Sequence, residues 1–397
     1  MGSDFRAWML PEGVVEYLPT DAATLNRLEQ VALSTFAHWG YQPLRPPMLE
    51  YIDTFVEVNP QGDLLEQTLQ FKDQKTGKQL AIRADITPQI ARIDAHYLRT
   101  QQIARYAYVG EVVKSLPTGH GRHRNPSVAG VELFGSNHIE ADSEIISLLI
   151  DYLHEIALRD FVMSLGNVDV PVELLRALHV PESLYGGFFQ AWSRKDGAAL
   201  NDLAKQCRLS NQQTQCLTQL IDLHGGANIL ATAREIYAEY PSVLAELDKL
   251  QQISAALRVR HPTLQLHIDL SDVHGYGYHN GIIFAAYVNG LWQSIARGGR
   301  YNGVGDGFDC SYQNRPATGF SCNLNLLTRV VPRQPATQRV ICCDLPDSPT
   351  LNQYVSQLRK TDIVIQVFAD GVLSNQRCTH KIITQDRDEF AVVECSY

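Results

Sequence analysis

The chain has 397 residues, 45% hydrophobic and 19% charged, with a formal net charge of −9. That length suffices for two or three buried cores, and no run approaches the roughly 18 apolar residues needed to cross a bilayer. The acidic balance argues against a nucleic-acid surface, which leans on Lys and Arg to neutralise phosphates, although a local basic patch within an acidic whole remains compatible with it.

Residues 1–20 lack a basic start followed by an apolar stretch, so no secretory signal is read there and a cytoplasmic location is expected. From Asp21 onward, Leu25, Leu28, Ala32, Phe36 and Trp39 form a helical stripe, with Thr20 or Asp21 placed to cap it and Gly40 to end it. Pro43, Pro46 and Pro47 then predict an extended segment. Segments 79–83, 103–113 and 128–134 are short, rich in Val, Ile and Tyr, and bounded by polar or glycine clusters, the signal of an antiparallel sheet. Residues 141–158 read as an amphipathic helix, with Asp142 and Glu144 in its first turn favouring the macrodipole.

Residues 171–260, dominated by Leu, Ala, Gln and Glu at helical spacing, predict an inserted all-helical subdomain. Strands are expected again at 264–270, 281–289 and 292–297. A linker at 331–338 then leads to a small α/β unit, 339–397, built from strand 339–343, helix 350–360 and strands 363–368 and 390–395. Cys207, Cys216, Cys310, Cys322, Cys342, Cys343, Cys378 and Cys395 show neither a CxxC pair nor zinc-ligand spacing, so buried free thiols are expected.

Five stretches, in order and spacing, resemble histidyl-tRNA synthetase, a class II synthetase, over about residues 10–330. The first helix with Leu44-Arg45-Pro46-Pro47 looks like motif 1, the family's dimer-forming element. Ile82-Arg83-Ala84-Asp85-Ile86-Thr87-Pro88 resembles LRPEGT, whose acid and threonine hold the histidine ammonium. Val109 to Lys114, Gly121 to Arg124 and Gly130-Val131-Glu132-Leu133-Phe134-Gly135 look like motif 2 and its loop. His274-Gly275-Tyr276-Gly277-Tyr278 resembles RGLDYY, Gly298-Gly299-Arg300-Tyr301 resembles GGRYD, and Gly319-Phe320 opens something like motif 3. The fold this implies is α+β: a class II synthetase-like antiparallel sheet flanked by helices over 1–330, with the helical insertion and the small C-terminal α/β domain.

Each fragment also has a plainer reading. The Gly298–Gly307 run suits a phosphate nest, but a glycine-rich turn after a strand is commoner. His120 with His123, or His274 with His279, lacks a carboxylate or thiol to complete a ligand set, so neither a metal nor a cofactor is expected. Asp85 and Glu132 lie in or beside apolar strands, where an unpartnered acid is costly, so each should have a partner.

Departures from the family pattern are concentrated where phosphate would be held. Adenylation builds anionic charge that pre-positioned guanidinium groups meet bidentately. The motif 2 arginine falls on Lys114, the RGLDYY arginine on His274 and the motif 3 arginine on Leu326. Losing one such contact typically costs about 10²–10³ in rate, so the resemblance implies no catalytic residues and little adenylation. The adenine-orienting glutamate becomes Leu116, and the FHQ after the loop becomes Pro126-Ser127-Val128.

Histidine contacts match better: Asp85, Thr87, Arg122, Glu132, Tyr276 and Tyr278, with Val128 and His274 as departures. A histidine pocket without adenylation machinery resembles the regulatory-subunit family of short-form ATP phosphoribosyltransferase. That resemblance implies an allosteric role in histidine biosynthesis, L-histidine as effector, a homodimer through the motif 1-like element, and a hetero-octamer with the catalytic subunit. It implies no tRNA and no membrane partner; the short C-terminal unit also argues against tRNA charging. The alternatives are an active, divergent histidyl-tRNA synthetase and a paralogue activating another amino acid.

Overall fold

The computed structural model describes residues 9–58, 64–116, 123–273, 275, 278–303, 315–332, 339–368, 378–386 and 389–395. Helix α1 (Pro19–His38) starts one or two residues before the expected cap. Leu18 is the N-cap and contributes no side-chain bond, while Pro19 occupies the first turn, where its missing N–H costs nothing. Its end follows the sequence: Gly40, at φ +84°, donates to Ala37 O and Tyr41 donates to Phe36 O, a Schellman closure. Next come β1 (Gln42–Pro43), β2 (Leu49–Tyr51), α2 (Asp53–Val58), β3 (Leu69–Lys72), β4 (Gln79–Ile82) and α3 (Thr87–Arg92). A π-helical stretch, Ile93–Leu98, continues α3.

Strands β5 (Ala104–Glu111) and β6 (Ser127–Phe134) precede α4 (Ile139–Glu155) and β7 (Val162–Asn167), a strand the sequence reading lacks. Helices α5 (Asp169–Ala177), α6 (Tyr185–Ser193), α7 (Gly197–Gln206) and α8 (Asn211–Gln219) follow. They are separated from α9 (Ile229–Ile236) and α10 (Pro241–Arg260) by the two-residue strand β8 (His224–Gly225), so the expected helical stretch is not helical throughout. The chain then forms β9 (Gln265–Asp269), β10 (Ile282–Tyr287), β11 (Ala296–Asn302), β12 (Pro316–Asn323) and α11 (Leu324–Val330). The strand expected at 292–297 is displaced to 296–302, because the glycine-rich Gly298-Gly299 run is itself strand between β10 and β12.

Among the described residues, nine strands form one sheet in the order β1-β5-β6-β12-β11-β10-β7-β9-β8, antiparallel except for the β1–β5 and β7–β9 pairs. Strand alternation gives the sheet two faces. One carries Ala107, Val131, Leu133, Phe320, Phe284 and Leu165 into a large core with α1, α4, α5 and α10. The other carries Tyr106, Tyr108, Phe134, Tyr301 and Ala317 into a smaller cluster closed by Ile86 and Ile90. The smaller sheet β2-β4-β3 leads into α3, which Glu50 holds by accepting from Gln89 and pairing with Arg92 at 2.5 Å.

Compact units divide at Val331/Pro332. The second holds β13 (Val340–Cys343), α12 (Pro349–Leu358), β14 (Ile363–Gln366), β15 (His380–Asp386) and β16 (Glu389–Glu394) in the order β14-β13-β15-β16. Strand β15 was not expected, and it corrects the cysteine reading. Parallel pairing of β13 with β15 brings Cys342 to Cys378, Cα atoms 5.8 Å apart, in a disulfide; linear spacing does not reveal a contact that the sheet creates. Cys207, Cys216, Cys322, Cys343 and Cys395 are free. No described helix is long and apolar enough to cross a membrane.

Asp142 lies in the first turn of α4 as expected, Glu144 lies beyond that turn, and both also pair across elements. Glu144 accepts from Tyr41 at 2.9 Å and from Arg105 at 2.7 Å. Asp142 is buried and accepts from Arg300 of β11 at 2.9 and 3.1 Å, while Arg300 also donates to Ser136 O and His138 O. Burial pushes the Asp142 carboxyl above its ordinary range and Arg300 pulls it back. We expect Arg300→Ala to cost about 3–5 kcal/mol in urea unfolding, since it leaves an uncompensated buried acid, and Arg300→Lys to recover only part.

Candidate functional site

Five neighbouring strands build the site by register. Across the sheet, Tyr106, Glu132, Gly319, Gly299 and Ile283 stand in one row, and Tyr108, Gly130, Ser321 and Arg297 in the next. Two of these glycines make room for larger neighbours. A Cβ at Gly319 would overlap the Glu132 carboxylate and one at Gly130 would run into the Tyr108 ring, so only hydrogen fits there.

Glu132 is 1% exposed. It accepts from Thr87 Oγ1 at 2.8 Å and from the Tyr301 hydroxyl, so the partners expected for a strand-embedded acid include the protein's own hydroxyls. Burial dominates, and its carboxyl rises to about 8 despite the bonds from Tyr301 and Thr87 and the nearby Tyr108 hydroxyl, with Asp85 adding to the rise. At neutral pH it is largely an acid rather than a carboxylate. It can therefore donate a proton to an imidazole nitrogen or surrender it to form a carboxylate–imidazolium pair.

Asp85 is partly buried at the turn before α3, where it accepts from the Thr87 backbone N–H at 3.1 Å. The turn is pinned by Arg83, which donates to Glu111 O at 2.8 Å and Pro46 O at 2.9 Å. Tyr278 stacks on Tyr301, ring centroids 5.4 Å apart. The Tyr278 and Tyr108 hydroxyls are buried, and neither makes a well-formed hydrogen bond among the described residues. Both phenols are pushed up by burial first and by the charges of Asp85 and Glu132 next, so they remain neutral donors. Two acids and two under-used hydroxyls converge here, a donor set suited to a small polar ligand carrying ammonium and imidazole groups.

A cavity of about 340 Å³ opens beside Asp85, lined also by Lys114, Val128, Arg297, Ser321 and Leu326. Leu326 lies in the first turn of α11, which Asn323 caps, and is 2% exposed; no guanidinium projects from this position. Lys114 adjoins the cavity just past the end of β5, in an isolated antiparallel bridge with Thr68. Arg122, His274 and Tyr276 lie outside the described residues. The structure thus gathers Asp85, Thr87, Glu132 and Tyr278 and adds Tyr108, Tyr301 and Arg297, which sequence reasoning did not select. Tyr301 was legible inside the GGRY run; Tyr108 and Arg297 become visible only through strand register.

A histidyl-tRNA synthetase family model matches residues 13–327. The ATP phosphoribosyltransferase regulatory subunit of Alkalilimnicola ehrlichii is 40% identical over 385 residues, covering 96% of this chain and 95% of that protein. The chain belongs to this histidyl-tRNA synthetase-like family of regulatory subunits. A second member, from Marinomonas sp., is 37% identical over 369 residues, 91% of this chain and 92% of that protein. An ATP phosphoribosyltransferase regulatory subunit/histidyl-tRNA synthetase from Bacillus halodurans C shares the fold, with a TM-score of 0.80 at 24% identity over 94% of this chain and 96% of that one. So does histidyl-tRNA synthetase from Nostoc sp. PCC 7120, at 0.76 and 17% identity over 98% and 97%. The class II synthetase-like α+β architecture is therefore common to charging enzymes and regulatory subunits.

The raised Glu132 carboxyl has a stability consequence. Between its ordinary value of 4.5 and about 8, the folded state binds more protons at this group than the unfolded state does. Its stabilising contribution is complete below 4.5 and is lost as pH rises through 8. Glu132→Gln, a mimic of the protonated form, should therefore gain stability relative to the wild type across this window, by about 2–4 kcal/mol at pH 8. Chemical denaturation of histidine-free protein at pH 5 and pH 8 measures this; a pH-independent difference would contradict the raised value.

Proposed function

We propose that the chain is the non-catalytic regulatory subunit of short-form ATP phosphoribosyltransferase, binding L-histidine and transmitting its presence to the catalytic subunit. The observation that carries this reading is the asymmetry of the site. The end holding Asp85, Thr87, Glu132, Tyr278 and Tyr301 is furnished for an amino acid, while the adjoining cavity has Lys114 and Leu326 where a synthetase would hold phosphate with arginine. In this reading Asp85 takes the ligand ammonium, Glu132 exchanges a proton with the imidazole, and Tyr278 donates its hydroxyl. Arg122 and Tyr276 belong to the same proposed pocket from the sequence match. Among the described residues, Arg297 and Lys114 are the cations lining the cavity, and Arg297 offers the bidentate fork for the ligand carboxylate.

Regulation then requires that histidine bind one quaternary arrangement better than another. A coupling of about 1–3 kcal/mol gives useful feedback inhibition. The assembly proposed is a hetero-octamer of four regulatory and four catalytic chains in the cytoplasm, with regulatory chains paired through the α1–β1 region. There, a groove of about 500 Å³ lined by Leu33, Tyr41, Pro43, Leu44 and Pro46 runs beside the edge strand β1. The proposed roles include neither tRNA charging nor a bound cofactor.

Calorimetric titration with histidine should give weaker binding for Glu132→Gln, by about tenfold or more at pH 7, because an amide cannot yield its proton to the imidazole. Co-purification with the short catalytic subunit at micromolar concentration, with changed turnover, is expected. Histidine-dependent pyrophosphate exchange into ATP at a synthetase-like rate would instead establish an active charging enzyme.

A further inference from the structure

Away from the histidine pocket, where α4 meets the end of α10, three ligand-bearing side chains converge. Asp151 and His154 are one turn apart on α4 and so share a face, and His261 is the C-cap of α10. One ligand atom from each lies within 4.8 Å of the other two. We propose that Asp151, His154 and His261 form a binding site for a divalent transition-metal ion of the Zn²⁺ type, fastening α4 to α10.

The second, independent observation is His261 itself. It is 8% exposed, and its Nε2 is buried with no hydrogen-bond partner among the described residues. Its backbone is held by the bond from its N–H to Leu257 O at 2.7 Å and by the bond its carbonyl accepts from Leu264 N at 3.1 Å, which positions the imidazole. The His154 ring centroid is 6.3 Å away at 71°, an edge approach that leaves ring nitrogens free to converge on a common point. A buried imidazole nitrogen without a partner is uncommon in native proteins and calls for an occupant.

Donor type selects the class of ion. Two imidazoles and one carboxylate suit Zn²⁺ or Co²⁺, with a water completing four-coordination, whereas Mg²⁺ and Ca²⁺ prefer oxygen shells. Burial lowers both histidines below their ordinary value, so their lone pairs are available at neutral pH. Arg159 beside His154 and Arg260 beside His261 push the same way, opposed by Asp151 and, at His154, by Glu155. Metal bonds of about 2.0–2.1 Å would hold the donor atoms about 3.4 Å apart. Asp151 and His154 are partly exposed and can close that gap by side-chain rotation. No linear motif shows this site, because two ligands lie on one helix and the third follows a helix about a hundred residues later.

The test uses the full chain without a polyhistidine tag, stripped with a chelator and titrated with Co²⁺ and Zn²⁺. One equivalent should bind, giving Co²⁺ visible absorption of a four-coordinate N/O site without a thiolate charge-transfer band, and raising the thermal midpoint. Asp151→Asn and His154→Ala, at partly exposed positions that spare the fold, should each weaken Zn²⁺ binding about tenfold or more. His261→Ala should abolish the stabilisation by metal, and all three variants should retain histidine binding. Absence of binding below about 100 μM, a thiolate band, or unchanged affinity in Asp151→Asn and His154→Ala would overturn the proposal.

Discussion

A carboxyl group buried in the middle of a nine-stranded sheet is the constraint around which this molecule is arranged. Glu132 stands on β6, an interior strand of that sheet, and removing it from water is costly unless its neighbours supply bonds or it keeps its proton. Both conditions are met. Gly319 leaves the space, Thr87 and Tyr301 bring hydroxyls from α3 and β11, and low polarity retains the proton. Supporting interactions serve the same end: Arg83 and the Glu50–Arg92 pair hold the turn and helix that carry Asp85 and Thr87.

Strand periodicity divides labour within a single short run. Arg300 and Tyr301 are adjacent, yet Arg300 faces the helical layer and anchors the start of α4 through Asp142, while Tyr301 faces the pocket and bonds Glu132. Scaffold and site therefore share one strand, β11, so the pocket around Glu132 is tied mechanically to the core helix α4. Such a strand offers a physical route from the pocket to a surface elsewhere in the same unit, which a regulatory role requires.

The comparison with charging enzymes separates ligand recognition from chemistry. A fold that joins an amino acid to a nucleotide needs hydroxyls and acids for the first and fixed cations for the second. Leu326 is instead part of the apolar core, and Lys114 supplies a compact ammonium rather than a bidentate fork.

Local properties of the sequence determined much of this protein: the α1 stripe and its glycine stop, the β5–β6 and β9–β10 strands, and the order of synthetase-like stretches. Each depends on residues near one another in the chain, where periodicity and turn chemistry act. Only the tertiary structure decided that β7 and β15 are strands, that Cys342 meets Cys378, that Tyr108 and Tyr301 join Glu132, and that His261 reaches Asp151 and His154. The physical reason is the same in each case. Strand register and helix packing bring together side chains from distant segments, and burial then sets their protonation and pairing, which linear spacing does not encode.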